Sequence, residues 1–181
     1  MRQVQDDDFD SFEELVRRYQ APLLRVAWSK LGERTWAEDV VQETFLAVFA
    51  ARRSYRSDLP FRTWLWTILL NLCRRQWKRR STRPVQTSFG TFDSERLPEP
   101  ATTENGLQHL LLAERRVQLD SLLAELPEPQ ADAMRLRFFG ELKFDEIART
   151  MDCSLSGAKR RVQTGLLKLA ERLRAEEGEA S

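Results

Sequence analysis

Residues 142–169 have the sequence LKFDEIARTMDCSLSGAKRRVQTGLLKL, and this stretch decides the fold. Ile147, Ala148 and Met151 recur at helical spacing and predict the inward face of a first, short helix. The polar residues 152–154 predict a tight turn, and Ser154 is suited to cap the helix that follows. Two helices joined by such a turn are typical of a helix-turn-helix, which offers its second helix to the DNA major groove.

The second helix of this stretch has an apolar side and a polar side. The apolar side is predicted to face the domain core and consists of Ala158, Val162, Leu166 and Leu169. The polar side and its flanks carry groups that can pair with base edges or phosphates, namely Ser156, Lys159, Arg160, Arg161, Gln163 and Thr164. A glycine such as Gly165 lowers the stability of a helix interior by about 1 kcal/mol relative to alanine, but it would permit close packing. An ordinary helical hairpin with a solvated charged face would have the same pattern, so this stretch alone leaves DNA binding open.

The composition fits a compact protein with an uneven charge distribution. The 181 residues are 41% hydrophobic and 31% charged, which suits one domain or two small ones. The formal net charge is only +1, but the charges are unevenly distributed. One basic block contains no acidic residue and consists of Arg74, Arg75, Lys78, Arg79, Arg80 and Arg83. Such segregation indicates a polyanionic partner for one face of the molecule.

Several classes of protein are disfavoured by the same composition. Two cysteines and one histidine provide no metal-binding spacing, so we expect neither a metal site nor a cofactor. We also find no plausible catalytic constellation, and we expect no enzymatic activity. The longest apolar run, Trp64 to Cys73, is too short to span a bilayer, and the chain does not open on a signal peptide. We therefore expect a cytoplasmic protein without membrane insertion.

Helical periodicity continues through the N-terminal half. A first helix is predicted over about residues 9–30, with Gly32 ending it, and a capping box at Thr35 and Glu38 is predicted to begin a second. Pro60 suits the start of a third helix that runs into the basic block. In that helix Trp64 is assigned to the core, whereas Trp66 and Trp77 do not fit the main apolar stripe.

The middle of the chain changes character, and helical periodicity then returns. Residues 83–106 contain prolines and small polar residues and predict a flexible linker. A helix is predicted from about Leu107, Pro127 and Pro129 start another, and Gly140 is predicted to cap its C-terminus. We therefore predict an all-α fold of two small helical bundles joined by a flexible linker, with domains at 1–82 and 107–181 and the helix-turn-helix in the second.

Motifs in both halves carry a family resemblance that covers nearly the whole chain. They are FEEL at 12–15, AEDVVQETF at 37–45, FRTWL at 61–65, Leu126-Pro127, and FDEIA at 144–148 followed by the helix-turn-helix. In this order and at these spacings, the chain resembles bacterial RNA polymerase sigma factors of the sigma-70 family. Its size is similar to that of the extracytoplasmic-function (ECF) group, which keeps the second and fourth sigma domains. The resemblance implies promoter-specific transcription initiation with core RNA polymerase.

The resemblance also implies roles for residues in the N-terminal half. Asp39, Gln42 and Glu43, which share one side of the second helix, would bind core polymerase, with Val40 and Leu46 adding apolar contact. Tyr55 and Arg56 would help to capture a flipped base of the minus-ten promoter element, by stacking and by holding a phosphate. The DNA backbone around that element would be followed by Asn71, Arg74, Arg75 and Lys78.

In the C-terminal half, the resemblance implies contacts to the minus-thirty-five element. Lys159, Arg160, Gln163 and Thr164 stand at the base-reading positions, Ser156 lies on the same polar side, and Lys143 and Arg161 would contact phosphates. The chain departs from the family at residues 156–158, SGA in place of the commoner GTV, and at 164–166, TGL where RAR is usual. The lost arginines imply weaker backbone contact or a different base preference.

Partners follow from the same resemblance. They are core RNA polymerase, promoter DNA and an anti-sigma factor inserted between the two domains. Two alternatives remain open at this point: an autonomous dimeric helix-turn-helix regulator, which would bind duplex DNA tightly by itself, and a helical scaffold, which would show no salt-dependent DNA affinity.

Overall fold

The computed structural model describes residues 2–5, 8–56, 60–82 and 117–179, and these residues form helices and short connections only. The all-α prediction is therefore confirmed for this part of the chain. The predicted linker at 83–106 and the helix start near Leu107 lie outside the described residues. The α-helices are α1 (Arg2–Gln5), α2 (Phe9–Leu31), α3 (Arg34–Ala50), α4 (Phe61–Thr82), α5 (described over 117–125), α6 (Glu128–Phe138), α7 (Phe144–Thr150) and α8 (Leu155–Glu179), and Arg52–Ser54 is a 3₁₀ turn.

Both ends of α2 are fixed by local hydrogen bonds. The Asp8 carboxylate accepts the Ser11 N–H at 3.1 Å, which caps the N-terminus. Gly32 has a φ of 74° and donates its N–H to the Trp28 carbonyl at 2.8 Å, so the predicted glycine stop is confirmed. Held at this length, α2 packs its apolar face against α3 and α4 and forms the N-terminal bundle.

The capping box predicted at Thr35 is wrong. Helix α3 already begins at Arg34, with Glu33 as an extended N-cap residue that makes no side-chain capping bond. Glu38 instead accepts a hydrogen bond from Arg34 Nε at 2.8 Å. Because Glu33 is the last extended residue, helical geometry begins one residue before the threonine, and Thr35 does not occupy the N-cap position.

In the C-terminal bundle, α7 and α8 form the predicted helix-turn-helix. Ser154 Oγ accepts the Gly157 N–H at 3.0 Å, which confirms Ser154 as the cap of α8. Asp152 adopts a left-handed φ of 48° in the turn between the helices. Helix α6 packs against both α7 and α8 and so connects the motif to the rest of the C-terminal bundle.

The prediction that Gly140 caps the C-terminus of α6 is wrong, because the C-cap residue is Phe139, which has right-handed geometry. Helix α6 ends at Phe138, and the left-handed residue is Glu141, with a φ of 56°. Gly140 is needed for space, because a Cβ there would lie 2.9 Å from the Leu136 carbonyl oxygen and 3.0 Å from Trp66 Cη2. The glycine therefore permits a close approach between α4 and the α6–α7 turn.

The apolar face predicted for α8 is shifted by one residue. Ala158, Val162 and Leu169 are buried as predicted, but Leu166 is 45% exposed and Gly165 is buried in its place. A Cβ on Gly165 would lie 2.9 Å from Met134 Cγ and 3.6 Å from Leu126 Cδ1. The close packing suggested by this glycine is confirmed, because α8 could not otherwise lie this near α6.

Gly165→Val is expected to lower the free energy of unfolding of the chain by about 1–3 kcal/mol, because it forces extra methyl groups against Met134. Thermal or urea unfolding followed by circular dichroism measures this change. Leu166→Val is the matched control, since it places a β-branched residue in the same helix at an exposed position. Equal stability of the two variants would contradict the packing role of Gly165.

The two bundles contact each other along a shared interface. Helix α2 packs against α6, and α4 packs against α7. Trp66 of α4 is fully buried, and its ring reaches the Gly140 backbone of the other bundle. No helix in the described ranges is long and apolar enough to cross a membrane.

Candidate nucleic-acid and polymerase interface

The outward face of α3 carries the three residues predicted to bind core polymerase. Asp39 and Gln42 are exposed, and Glu43 is partly exposed. Leu46, one turn further along the same face, leaves 63% of its surface in solvent. Val40 is buried at 2% exposure, so its predicted contribution to an external apolar contact is wrong. This face of α3 therefore presents polar side chains and one exposed leucine to solvent.

The basic face of α4 lies next to this α3 face. Arg75 forms an ion pair with Glu43, which joins the predicted minus-ten residues to the predicted polymerase-binding residues. Arg74 Nη1 donates to Asn71 Oδ1 at 3.4 Å. Lys78 lies one turn further on and is exposed, and Trp77 beside it is 52% exposed. The structure therefore gathers the four predicted α4 residues on one side of the helix.

Tyr55 is packed into an aromatic cluster. Its ring centroid lies 4.9 Å from that of Trp64 and 6.2 Å from that of Phe61, and the side chain is half-buried. Gln5 Nε2 donates at 3.0 Å to the backbone carbonyls of both Arg52 and Tyr55, so α1 is hydrogen-bonded to the loop that carries Tyr55. Sequence reasoning missed α1, because a four-residue helix has no periodicity to detect.

The polar side of α8 faces outward. Ser156, Lys159, Arg160 and Gln163 are exposed, and Arg161 and Thr164 are partly exposed. Lys143 is exposed at the start of α7, where its backbone N–H donates to Glu146 Oε2 at 2.8 Å and fixes the helix end. All seven predicted minus-thirty-five residues thus lie on or beside one helix-turn-helix surface.

No cluster of metal-ligating side chains occurs among the described residues. Burial raises the pKa of the Cys73 thiol to about 12, so this thiol is protonated near neutral pH and is a poor nucleophile.

Comparison with known proteins identifies both halves. The model of Sigma-70 region 2 matches residues 15–83, and the model of Sigma-70 region 4 matches residues 116–169. The RNA polymerase sigma-H factor of Pseudomonas aeruginosa is 28% identical over 169 residues, which span 90% of this chain and 86% of that protein. The ECF RNA polymerase sigma-E factor of Escherichia coli K12 is 29% identical over 165 residues, with the same two coverages.

Solved structures share the fold. CnrH in complex with the cytosolic domain of CnrY superimposes with a TM-score of 0.73 at 23% identity, covering 96% of this chain and 94% of CnrH. The sigma factor RpoE in complex with the anti-sigma factor NepR, from Bartonella quintana, gives a TM-score of 0.66 at 22% identity, covering 91% of this chain and 97% of RpoE.

Proposed function

The chain belongs to the ECF group of the sigma-70 family, and from this membership we propose that it binds core RNA polymerase and directs promoter-specific transcription initiation. The observation that carries the proposal is the order of two family regions along one chain. The second of them holds an outward-facing helix-turn-helix, and the first holds a basic helix beside an acidic and amide face. We propose that the chain has no chemistry of its own and acts by positioning polymerase and DNA.

The core-binding surface in this proposal is the outer face of α3. Asp39, Gln42 and Glu43 offer carboxylate and amide oxygens to arginines of the polymerase, and the exposed Leu46 supplies an apolar anchor. The Arg75–Glu43 ion pair links this face to α4.

The minus-ten element is proposed to bind along α4 and the preceding loop. In this proposal the backbone phosphates are neutralised by Arg74, Arg75 and Lys78, and Asn71 forms a hydrogen bond to the DNA backbone beside them. Tyr55 lies against Trp64 and Phe61, so an unstacked base would add to an existing aromatic group while Arg56 holds its phosphate. Stacking of this kind offsets part of the cost of opening the duplex.

The minus-thirty-five element is proposed to bind the outer surface of α8. Arg160 and Gln163 have the hydrogen-bonding groups to distinguish guanine and adenine in the major groove, with Lys159, Thr164 and Ser156 beside them. Lys143 and Arg161 contact phosphates and fix the register. We propose residues 1–82 and 107–181 as the two binding domains and 83–106 as their linker.

Partners other than polymerase and promoter DNA are proposed from the structural relatives. RpoE of Bartonella quintana was solved in complex with an anti-sigma factor, and CnrH in complex with a cytosolic domain of CnrY. We propose that this chain likewise has an anti-sigma partner. Its place of action would be the cytoplasm, where polymerase and chromosome are found.

Gel filtration with purified core RNA polymerase, followed by footprinting on promoter DNA, tests the proposed function. We expect the chain to co-elute with the core enzyme and to protect two separated DNA segments only when that enzyme is present. An autonomous dimeric regulator would instead elute as a dimer and protect a palindromic site by itself. That result would replace the proposed function.

A further inference from the structure

The short helix α1 is anchored beside the loop that precedes α4. Val4 is fully buried, and α1 contacts both α2 and the 3₁₀ turn Arg52–Ser54. The next residue, Gln5, is partly buried, and its Nε2 donates to the carbonyl oxygens of Arg52 and Tyr55, each at 3.0 Å. These acceptors lie 47 and 50 residues further along the chain. Burial of Val4 thus holds the Gln5 amide against a distant segment, residues 52–56, which we call the Tyr55 loop.

The amide of Gln5 suits this pair of carbonyls chemically. A glutamine NH₂ group has two N–H donors, one for each acceptor, so both hydrogen bonds can form at once. Carbonyl oxygens only accept hydrogen bonds, and a carboxylate also only accepts. A glutamate at position 5 would therefore place oxygens against oxygens. The contact needs a side chain that donates twice.

The other backbone bonds described in the Tyr55 loop are short-range. The Ser54 N–H donates to the Ala51 carbonyl at 3.1 Å, and the Tyr55 N–H donates to the Arg52 carbonyl at 3.3 Å. A 3₁₀ turn of this kind has poorer hydrogen-bond geometry than an α-helix. The two bonds from Gln5 join the first residue of the turn to the residue that follows it, so they hold the turn closed from outside.

Tyr55 is held at its ring and at its backbone. The ring centroid lies 4.9 Å from that of Trp64, and the carbonyl accepts the bond from Gln5. This carbonyl belongs to the same planar peptide unit as the nitrogen of Arg56, so fixing its direction also fixes where the exposed Arg56 begins. The two residues proposed to capture a flipped base therefore leave the loop in a defined geometry.

We propose that Gln5 is a positioning residue for minus-ten recognition, which holds the loop backbone so that Tyr55 and Arg56 meet the flipped base in one geometry. The inference rests on the proposed minus-ten role of Tyr55 and Arg56. Gln5 acts through the two carbonyls and not through contact with DNA. Stacking and hydrogen bonds to a base edge both depend on exact placement, whereas phosphate contacts supply affinity without reading sequence. Loosening the loop should therefore reduce discrimination between bases more than overall affinity.

Amide hydrogen exchange of the free chain, measured residue by residue by NMR, tests the tether. Gln5→Met keeps the length of the side chain without a donor, and Gln5→Glu replaces the donors by acceptors. In both variants the amides of Ser54 and Tyr55 should exchange about tenfold faster, because two hydrogen bonds that hold the turn closed are lost. Gln20→Glu is the matched control, since it makes the same substitution at an exposed position of α2.

Holoenzyme binding to promoters that carry each of the four bases at single positions of the minus-ten element measures the consequence. Tyr55→Ala identifies the position that the loop reads, as the one where discrimination falls. Gln5→Met should reduce discrimination at that position by about five- to tenfold and leave discrimination at the minus-thirty-five element unchanged. The double variant should discriminate no worse than Tyr55→Ala alone, because both changes act on one base.

The outcomes separate this inference from the proposed function. Unchanged exchange in both Gln5 variants, or equal acceleration in Gln20→Glu, would overturn the tether whatever the chain does in transcription. Faster exchange with unchanged discrimination, a uniform loss of affinity for all promoters, or an additive loss in the double variant would overturn the positioning role alone. A holoenzyme of the unaltered chain without base preference in the minus-ten element would overturn the proposed function and the role of Gln5 in it, whereas the tether measured on the free chain would stand.

Discussion

Replacing Asp39 and Gln42 together by alanine is expected to weaken binding to core RNA polymerase by about thirtyfold or more. Truncating one side of a buried, hydrogen-bonded charge contact costs about 2 kcal/mol or more, which corresponds to that factor. Both side chains are exposed on α3, so their removal leaves the core of the bundle intact. Titration of a fluorescently labelled chain with core enzyme measures the dissociation constant.

The matched control for this double substitution is Glu13→Ala with Gln20→Ala. It removes one carboxylate and one amide from exposed positions on α2, away from the proposed docking face. We expect the control variant to bind core enzyme like the unaltered chain. If both variants lost affinity equally, the loss would reflect net charge, and the assignment of the α3 face would be contradicted.

Replacing Arg160 by alanine is expected to relax discrimination at one base pair of the minus-thirty-five element. Each bidentate contact to a base contributes about 1–3 kcal/mol, so the preferred promoter should lose about five- to 150-fold in affinity while substituted promoters lose less. Gln163→Ala should do the same at a neighbouring position. Binding of the holoenzyme to a panel of promoters that differ at single positions in this element measures the effect.

Two further variants separate base reading from charge. Arg160→Lys keeps the charge but lacks the planar fork, so it should lose discrimination and keep much of the affinity. Arg161→Ala should weaken binding nearly uniformly across sequences and reduce the salt dependence by about one phosphate contact. An unchanged base preference in both Arg160→Ala and Gln163→Ala would contradict the proposal that α8 binds in the major groove.

Local sequence signals located the helix ends where a single residue governs the backbone. Gly32 and Ser154 act through bonds within four residues of themselves, so their roles could be predicted without knowledge of the fold. Thr35 shows the limit of such signals: α3 starts one residue earlier, at Arg34, so the predicted capping box does not form.

Sequence patterns did not predict burial correctly where it depends on contacts with another part of the chain. Trp66 did not fit the apolar stripe of its own helix, because the α6–α7 turn of the other bundle contributes to its burial. Periodicity favoured Leu166 for the core of α8, but close contact with Met134 admits only the side-chain-free Gly165. Such choices depend on distances between helices, which a single sequence does not contain.

The candidate surfaces were more predictable than the contacts between them. Polar side chains at helical spacing must share a face, so the exposed groups of α3, α4 and α8 followed from their spacing once helices were assigned. Asp132 and Lys30, separated by about a hundred residues, gave no signal of their pairing. Tyr55 could be placed in a loop, whereas its stacking on Trp64 depends on how that loop returns to α4.

Mapping transcription start sites with purified core RNA polymerase on a library of promoter fragments tests the central claim most directly. With the chain present, we predict a new set of start sites whose upstream regions share two separated elements, and we predict that Asp39→Ala with Gln42→Ala abolishes the set. An identical set of start sites with and without the chain would contradict the account.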